Sequence, residues 1–310
     1  MQSLRDIKKR IHSVKNIAQI TKAMEVVSMT KMRRSQHFAL AARPFALASL
    51  KMLGHILKKS SQKNVPLLLK SREIKKVLLV VITADKGLVG GFNDTVLDKA
   101  DHILQKYNEK HTPVDIVVVG KKARDHFEHR HIHPIKSFIG FGDFTQFSET
   151  TEVAQSIVNG FHKNSWQAVE IIYTHFKTTL KQKTVHKQLL PASEESLTEF
   201  IQEIIPEYGK YSDIRDKSLP ESHYNYTYTF EPSPEKIVVP LVENILKTAL
   251  HHIMLESNAS EHSARMVTMK SATDNASELK DTLTLEMNKA RQAGITSEIS
   301  EIIAGAEALS

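Results

Sequence analysis

Residues 241–293 contain neither glycine nor proline, and this stretch of 53 residues limits the possible folds more than any other feature of the chain. As one α-helix it would measure on the order of 80 Å, a rod that no single compact core requires. Such a helix gains its stability by packing an apolar stripe against a partner. Leu241, Ile245, Ala249 and Ile253 supply one stripe, and Leu279, Leu283 and Met287 a second. Between them "SEHSARMVTMKSATDNAS" (260–277) is small and polar nearly all round, so it is expected to meet a surface that touches it loosely on several sides. Ser233 reads as the N-cap, Pro234 as the first helical residue and Glu235 as a complement to the helix dipole, with Pro240 kinking the first turns.

The other end of the chain offers a partner. Leu4, Ile7, Ile11, Val14, Ile17, Ile20 or Thr21, Met24 and Val27 recur every three or four residues. Ser3 with Asp6 reads as a cap, Pro44 as a bend, and apolar positions continue to the polar "KKSSQKN" at 58–64. The net charge of +7 is uneven. Nine cations from Arg5 to Arg34 face only Asp6 and Glu25, whereas from Glu235 onward acids outnumber bases, eleven to seven. The simplest arrangement is an antiparallel coiled coil of the two termini, with the middle of the chain as a separate lobe.

That middle reads as α/β. "KKVLLVVIT" (75–83), "VDIVVVG" (114–120) and "AVEIIYT" (168–174) are β-branched runs separated by helical patterns at 94–107 and 151–162. "TVHKQLL" (184–190) alternates and reads as an edge strand. The predicted fold class is α/β: a long antiparallel coiled coil of N- and C-terminal helices plus a central Rossmann-like α/β lobe. The predicted boundaries are 1–60 for the first helix, 70–232 for the lobe, with an insert at 191–226, and 233–310 for the last helix.

Composition removes several classes of function. The chain has no cysteine, which excludes disulfides, thiol catalysis and thiolate zinc sites. The longest unbroken aliphatic run, Val77–Ile82, is far short of the roughly 20 residues that span a bilayer. The start of the chain has no apolar core followed by small residues, so it is read as mature structure rather than a secretory signal.

"VITADKGLVGGFN" (81–93) stands where a phosphate-cradling loop would sit. Gly87, Gly90 and Gly91 satisfy neither G-x-G-x-x-G nor a P-loop, which ends in Lys-Ser/Thr. The preferred reading is a tight strand-to-helix turn, with the glycines at positive φ and Asn93 capping the next helix. His126, His129, His131 and His133 in "HFEHRHIH" lack metal-site spacing and read as a solvated segment. The basic first helix lacks the aromatic interleaving of a nucleic-acid binder. No catalytic constellation is visible, and no cofactor or metal is expected.

Three stretches carry a resemblance. "IKKRIHSVKNIAQITKAMEVVSMTKMRRSQ" (7–36), "TADKGLVGGFN" (83–93) and "ITSEISEIIAGAEA" (295–308) are similar to the signatures of the gamma subunit of F-type ATP synthase, with Thr83, Ala84 and Val89 as departures. The resemblance implies a non-catalytic rotor shaft. Its coiled coil would enter a ring of alpha and beta subunits, and its lobe would sit with the epsilon subunit on the membrane-embedded c-ring. It would be peripheral to the cytoplasmic side of a bacterial inner membrane and would bind no nucleic acid.

By family position Met24, Lys31, Arg33, Arg34, Arg265, Gln292 and Thr296 would contact beta. Ile299, Ile302, Ile303 and Ala306 would form the shaft tip, and Tyr228, Phe230 and Glu231 the foot on the c-ring and epsilon. Removing Lys31, Arg33 and Arg34 together is expected to impair coupling more than assembly. The insert lacks the dithiol of chloroplast relatives, which excludes redox control, and its length suggests a steric or partner-binding role.

Overall fold

Val77–Ile82 (β1) is buried at every residue, which requires cover on both faces of its sheet. The computed structural model describes residues 4–41, 44–45, 48–49, 52–53, 66–193, 196 and 234–307. After the helix Leu4–Ala41 (α1) and a short 3-10 turn at Leu67–Leu69 come β1, Phe92–Glu109 (α2), Val114–Val119 (β2) and Lys121–His129 (α3). There follow Lys136–Phe138 (β3), Phe147–His162 (α4), Ala168–Phe176 (β4), Gln182–Leu190 (β5) and Pro234–Glu307 (α5). The strands form one sheet in the order β3-β2-β1-β4-β5, parallel throughout except that β5 runs antiparallel to β4 at the edge.

Alternate residues of β1 point to opposite faces. Leu79 and Val81 pack with Val96, Ala100, Ile116 and Phe127 beneath α2 and α3. Leu78, Val80 and Ile82 pack with Ile157 and Phe161 of α4 and with Val242, Ile245, Ala249 and Ile253 of α5. The first turns of α5 therefore belong to the core of the lobe. This also accounts for their hydropathy: α5 is long and apolar enough by composition to cross a bilayer, yet 56% of its most apolar window is buried within the fold. Pro234 is the first residue of α5, and Pro240 lies inside the helix without ending it.

Internal contacts divide the chain into two compact units, Met1–Ser28 with Arg265–Ser310, and Met29–Ala264. In the first, the covered positions of α1 include 4, 7, 11, 14, 18, 21, 25 and 28, with Met24 beside them, and those of α5 include 269, 273, 276, 280, 283, 287, 290 and 294. Steps of four and three alternate on both helices, the spacing that keeps a seam continuous in a left-handed coiled coil. Thr21 Oγ1 meets Thr273 Oγ1 at 2.7 Å in this unit, while in the second unit Met32 of α1 packs with Ala259 of α5. Numbers rise on one helix as they fall on the other, so the pair is antiparallel.

The seam keeps Leu4, Ile7, Ile11 and Val14 of the expected stripe, takes Thr21 rather than Ile20, and departs from the sequence reading at Ile17, Val27 and Leu279. Thr21 is 9% exposed while Ile20 is 60% exposed, and Ile17 and Val27 are likewise open. On α5, Leu283 is 3% exposed and Leu279 44%. Stripes through 17, 20, 24, 27 and through 18, 21, 25, 28 have equal spacing, so periodicity cannot choose between them; small residues allow two helix backbones to approach. The small-polar run of α5 also departs from expectation where it lies against the lobe. Ser260 and Ser263 are fully buried, and their hydroxyls donate to Thr174 O at 3.1 Å and Thr179 O at 2.7 Å.

Candidate functional site

The sheet order reverses beside β1, and in open α/β sheets ligands bind at the carboxyl ends of strands near such a point. The glycine turn lies there. Leu88 and Gly90 have positive φ of 61° and 56°, whereas Gly87 and Gly91 do not adopt it. Asn93 is not the cap. Gly91 holds that position, and the buried Asn93 Oδ1 accepts the Ala84 N–H at 3.0 Å, tying the turn to the end of β1.

A phosphate in this fold would seek the free N–H groups that begin a helix. At the start of α3 they are already engaged. Asp85 Oδ1 accepts the Lys121 N–H at 2.7 Å, Ala84 O accepts that of Lys122 at 3.2 Å, and Thr83 Oγ1 accepts that of Ala123 at 2.9 Å. The second carboxylate oxygen of Asp85 accepts the Gly140 N–H at 2.9 Å. A carboxylate of the chain itself thus fills the anion position at the start of α3. Gly120, the residue before α3, has φ of 101°, and a Cβ there would lie 2.2 Å from Thr83 O, so only glycine fits. The adjoining cavity, lined in part by Thr83, Lys86, Asp143 and His262, measures about 150 Å³. Sites for small organic ligands run from roughly 300 Å³ upward.

The histidine segment is divided among local roles. His126 lies 3.1 Å from Asp101, which also binds Arg130 at 2.7 Å. His129 Nδ1 bonds to Asp125 O, and His131 has φ of 58° in the turn after α3. A more consequential pair lies on α5. Glu256, buried against β4, sits 3.1 Å from His175 and 3.4 Å from the buried His252. Burial pushes its pKa up, but the charge of His252 and the hydrogen bond from His175 outweigh this and hold it down at about 2. His251 is pushed down to about 4 by burial and by its neighbour His252.

The residues expected at partner contacts fall into distinct settings. Met24 is half-buried and Arg33 exposed. Lys31 is bound to Asp143 at 2.7 Å, and the Arg34 guanidinium lies over the Phe144 ring at 4.7 Å, so these two cations also hold the lobe. Arg265 is buried, while Gln292 and Thr296 are exposed, the Thr296 hydroxyl donating to Gln292 O at 3.0 Å. Beyond Gly294 every residue to Ala306 is exposed, including Ile299, Ile302, Ile303 and Ala306. Tyr228, Phe230, Glu231 and nearly all of the 191–226 insert lie outside the described residues. Sequence reasoning missed Asp85, Asp143 and Glu256; only Glu256 leaves a local trace, a His252-x-x-x-Glu256 pair at helical spacing.

Long terminal helices paired through a heptad seam, with an α/β lobe between them in sequence, define the class of the fold. A family model described as ATP synthase matches residues 3–309. The "ATP synthase gamma chain" of Pelotomaculum thermopropionicum is 39% identical over 309 residues, covering 100% of both chains. The "ATP synthase gamma chain, sodium ion specific" of Acetobacterium woodii is 38% identical, covering 99% of each. Among solved structures, a chain of the Euglena gracilis mitochondrial ATP synthase (OSCP/F1/c-ring, rotational state 3) has the same fold with a TM-score of 0.62 at 17% identity, covering 99% of this chain and 94% of its own. A chain of the Tetrahymena thermophila central stalk and c-ring gives 0.57 at 22%, covering 82% and 99%. The chain belongs to the ATP synthase gamma chain family.

Proposed function

We propose that the chain is the central rotor shaft of an F-type ATP synthase, a non-catalytic subunit that couples ion-driven rotation of a c-ring to ATP synthesis or hydrolysis at sites on alpha and beta subunits. The observation that carries this reading is the full-length match to gamma chains. In functional terms residues 1–60 and 233–310 form the shaft and 70–232 the lobe, which meets the c-ring and epsilon. The complex lies at the membrane, and this subunit is peripheral to it on the cytoplasmic side.

The chemistry suits the task. A shaft must stabilise different conformations of its neighbours in different orientations, so its surface must differ around its circumference. Exposed Ile20 and Val27 and the exposed cation Lys15, which helical spacing places on different sides of α1, provide that asymmetry. Met24, Arg33, Arg265, Gln292 and Thr296 are the proposed beta contacts, joined by Lys31 and Arg34 at the base. Ile299, Ile302, Ile303 and Ala306 form the tip, with Tyr228, Phe230 and Glu231 as the foot. Ion pairs on such a surface are worth ~0 to 1 kcal/mol each and exchange readily as the shaft turns.

Co-purification with alpha and beta subunits in a stoichiometric complex is the expected result, and a chain that never enters such a complex is not a rotor. Titration calorimetry of the isolated chain with ATP, ADP and NAD is expected to give no heat of binding. A saturable signal from any of them would favour a nucleotide-binding enzyme instead.

A further inference from the structure

Loop 139–146, between β3 and α4, touches both long helices through three consecutive residues. Asp143 Oδ2 accepts from Lys31 Nζ of α1 at 2.7 Å, Lys86 of the glycine turn lies 3.9 Å from Oδ1, and the Asp143 carbonyl receives His262 Nε2 of α5 at 2.9 Å. Phe144 lies under the Arg34 guanidinium and meets the Phe38 ring edge-on at 6.0 Å. Thr145 Oγ1 accepts from Asn258 Nδ2 of α5 at 2.8 Å.

The two helices depend on this loop unequally. The first turns of α5 lie in the core under a broad apolar face, which holds them without reference to direction. Residues 29–41 of α1 bury only Met32 and Ala39 as apolar side chains. Resistance to sliding or rolling of α1 against the lobe therefore falls on directional contacts, of which the Lys31–Asp143 pair is the shortest ion pair.

We propose that loop 139–146 is a clamp that locks both long helices to the sheet lobe, with Asp143 as the positioning residue through which twist passes from lobe to shaft. The inference rests on the rotor reading. When the clamp holds, work delivered to the lobe reaches both helices; when it yields, α1 lags behind the core-held α5 and hydrolysis runs without matched ion transport.

The test uses the complete complex in vesicles, with ATP hydrolysis and ATP-driven ion pumping measured on the same preparation. Asp143→Asn keeps the shape and removes the charge. It is expected to leave hydrolysis within about twofold while pumping per ATP falls by up to about fivefold, the population factor an exposed ion pair commands. Exchanging the charges, Lys31→Asp with Asp143→Lys, is expected to recover pumping that Lys31→Asp alone loses. Normal pumping in Asp143→Asn, or an exchange no better than the single change, overturns the clamp. The ratio is taken per assembled complex, so poor assembly of a variant does not imitate uncoupling. Failure of the unaltered chain to join alpha and beta would instead remove the rotor reading, and the clamp with it.

Discussion

Asp85 illustrates how one side chain can occupy the helix start where the fold would otherwise accept an anion. Parallel sheets of this kind collect anions at helix starts. Here the carboxylate is built in, bonded to two amides on separate segments. Glu256 carries a second consequence, for stability against pH. Its folded pKa of about 2 lies below the ordinary 4.5. A depressed carboxyl pKa stabilises the fold above the unfolded value, and the benefit is lost as pH falls through the folded one. The loss should run between pH 4.5 and about 2 and amount to at most on the order of 3 kcal/mol. His251, held neutral with a pKa of about 4 against 6.5, adds an earlier loss as pH drops from 6.5 to 4. Urea titrations of the chain at a series of pH values should show both limbs, and Glu256→Gln should flatten the lower one while leaving the upper. An unchanged lower limb in that variant would mean that the His175–Glu256 contact contributes nothing to the fold.

Among the elements, the two seams make the sharpest claim. Leu283→Ala is expected to cost about 2–5 kcal/mol, as a buried large-to-small change does, while Leu279→Ala should stay within about 0.5 kcal/mol. Thermal melts of the two variants decide it, and equal losses would move the seam back to the stripe that aliphatic size alone suggests. That contrast also marks how far the sequence carries. β1, β2 and β4 were legible because both-sided burial demands unbroken β-branched runs, and β5 because an edge strand alternates. β3 has three residues, and α3 offers only Ala123 and Phe127 as buried anchors, too little pattern for either to announce itself. The seam was legible as far as Val14 and left open between Ile20 and Thr21, but was misplaced at Ile17 and Val27 because Ala18 and Ser28 look unsuited to a core until two helix axes are known to draw close. Asp143 was invisible for a different reason, since its partners at Lys31, Lys86 and His262 are distant in sequence.

At the level of the molecule, support for the fold stops about three turns before the last residue whose burial is described. The last covered seam position is Gly294, and residues 295–306 of α5 are all exposed. Deleting 295–310 is therefore expected to leave the melting temperature of the isolated chain unchanged within about 2 °C, since every residue of 295–306 is exposed. A larger fall would show that these residues brace the fold. The bulk of the chain behaves otherwise, because the lobe and the start of α5 share one core and neither could be removed without exposing the other.

Ile302, 71% exposed, and the bare Ile295, Ile299 and Ile303 near it also bear on how the chain is supplied in a cell. A surplus copy displays a greasy end with nothing to sheathe it, the kind of surface that seeds clumping and attracts proteases. On the proposed reading of Ile299, Ile302, Ile303 and Ala306 as the shaft tip, synthesis in step with the partner polypeptides is what would keep this stretch covered.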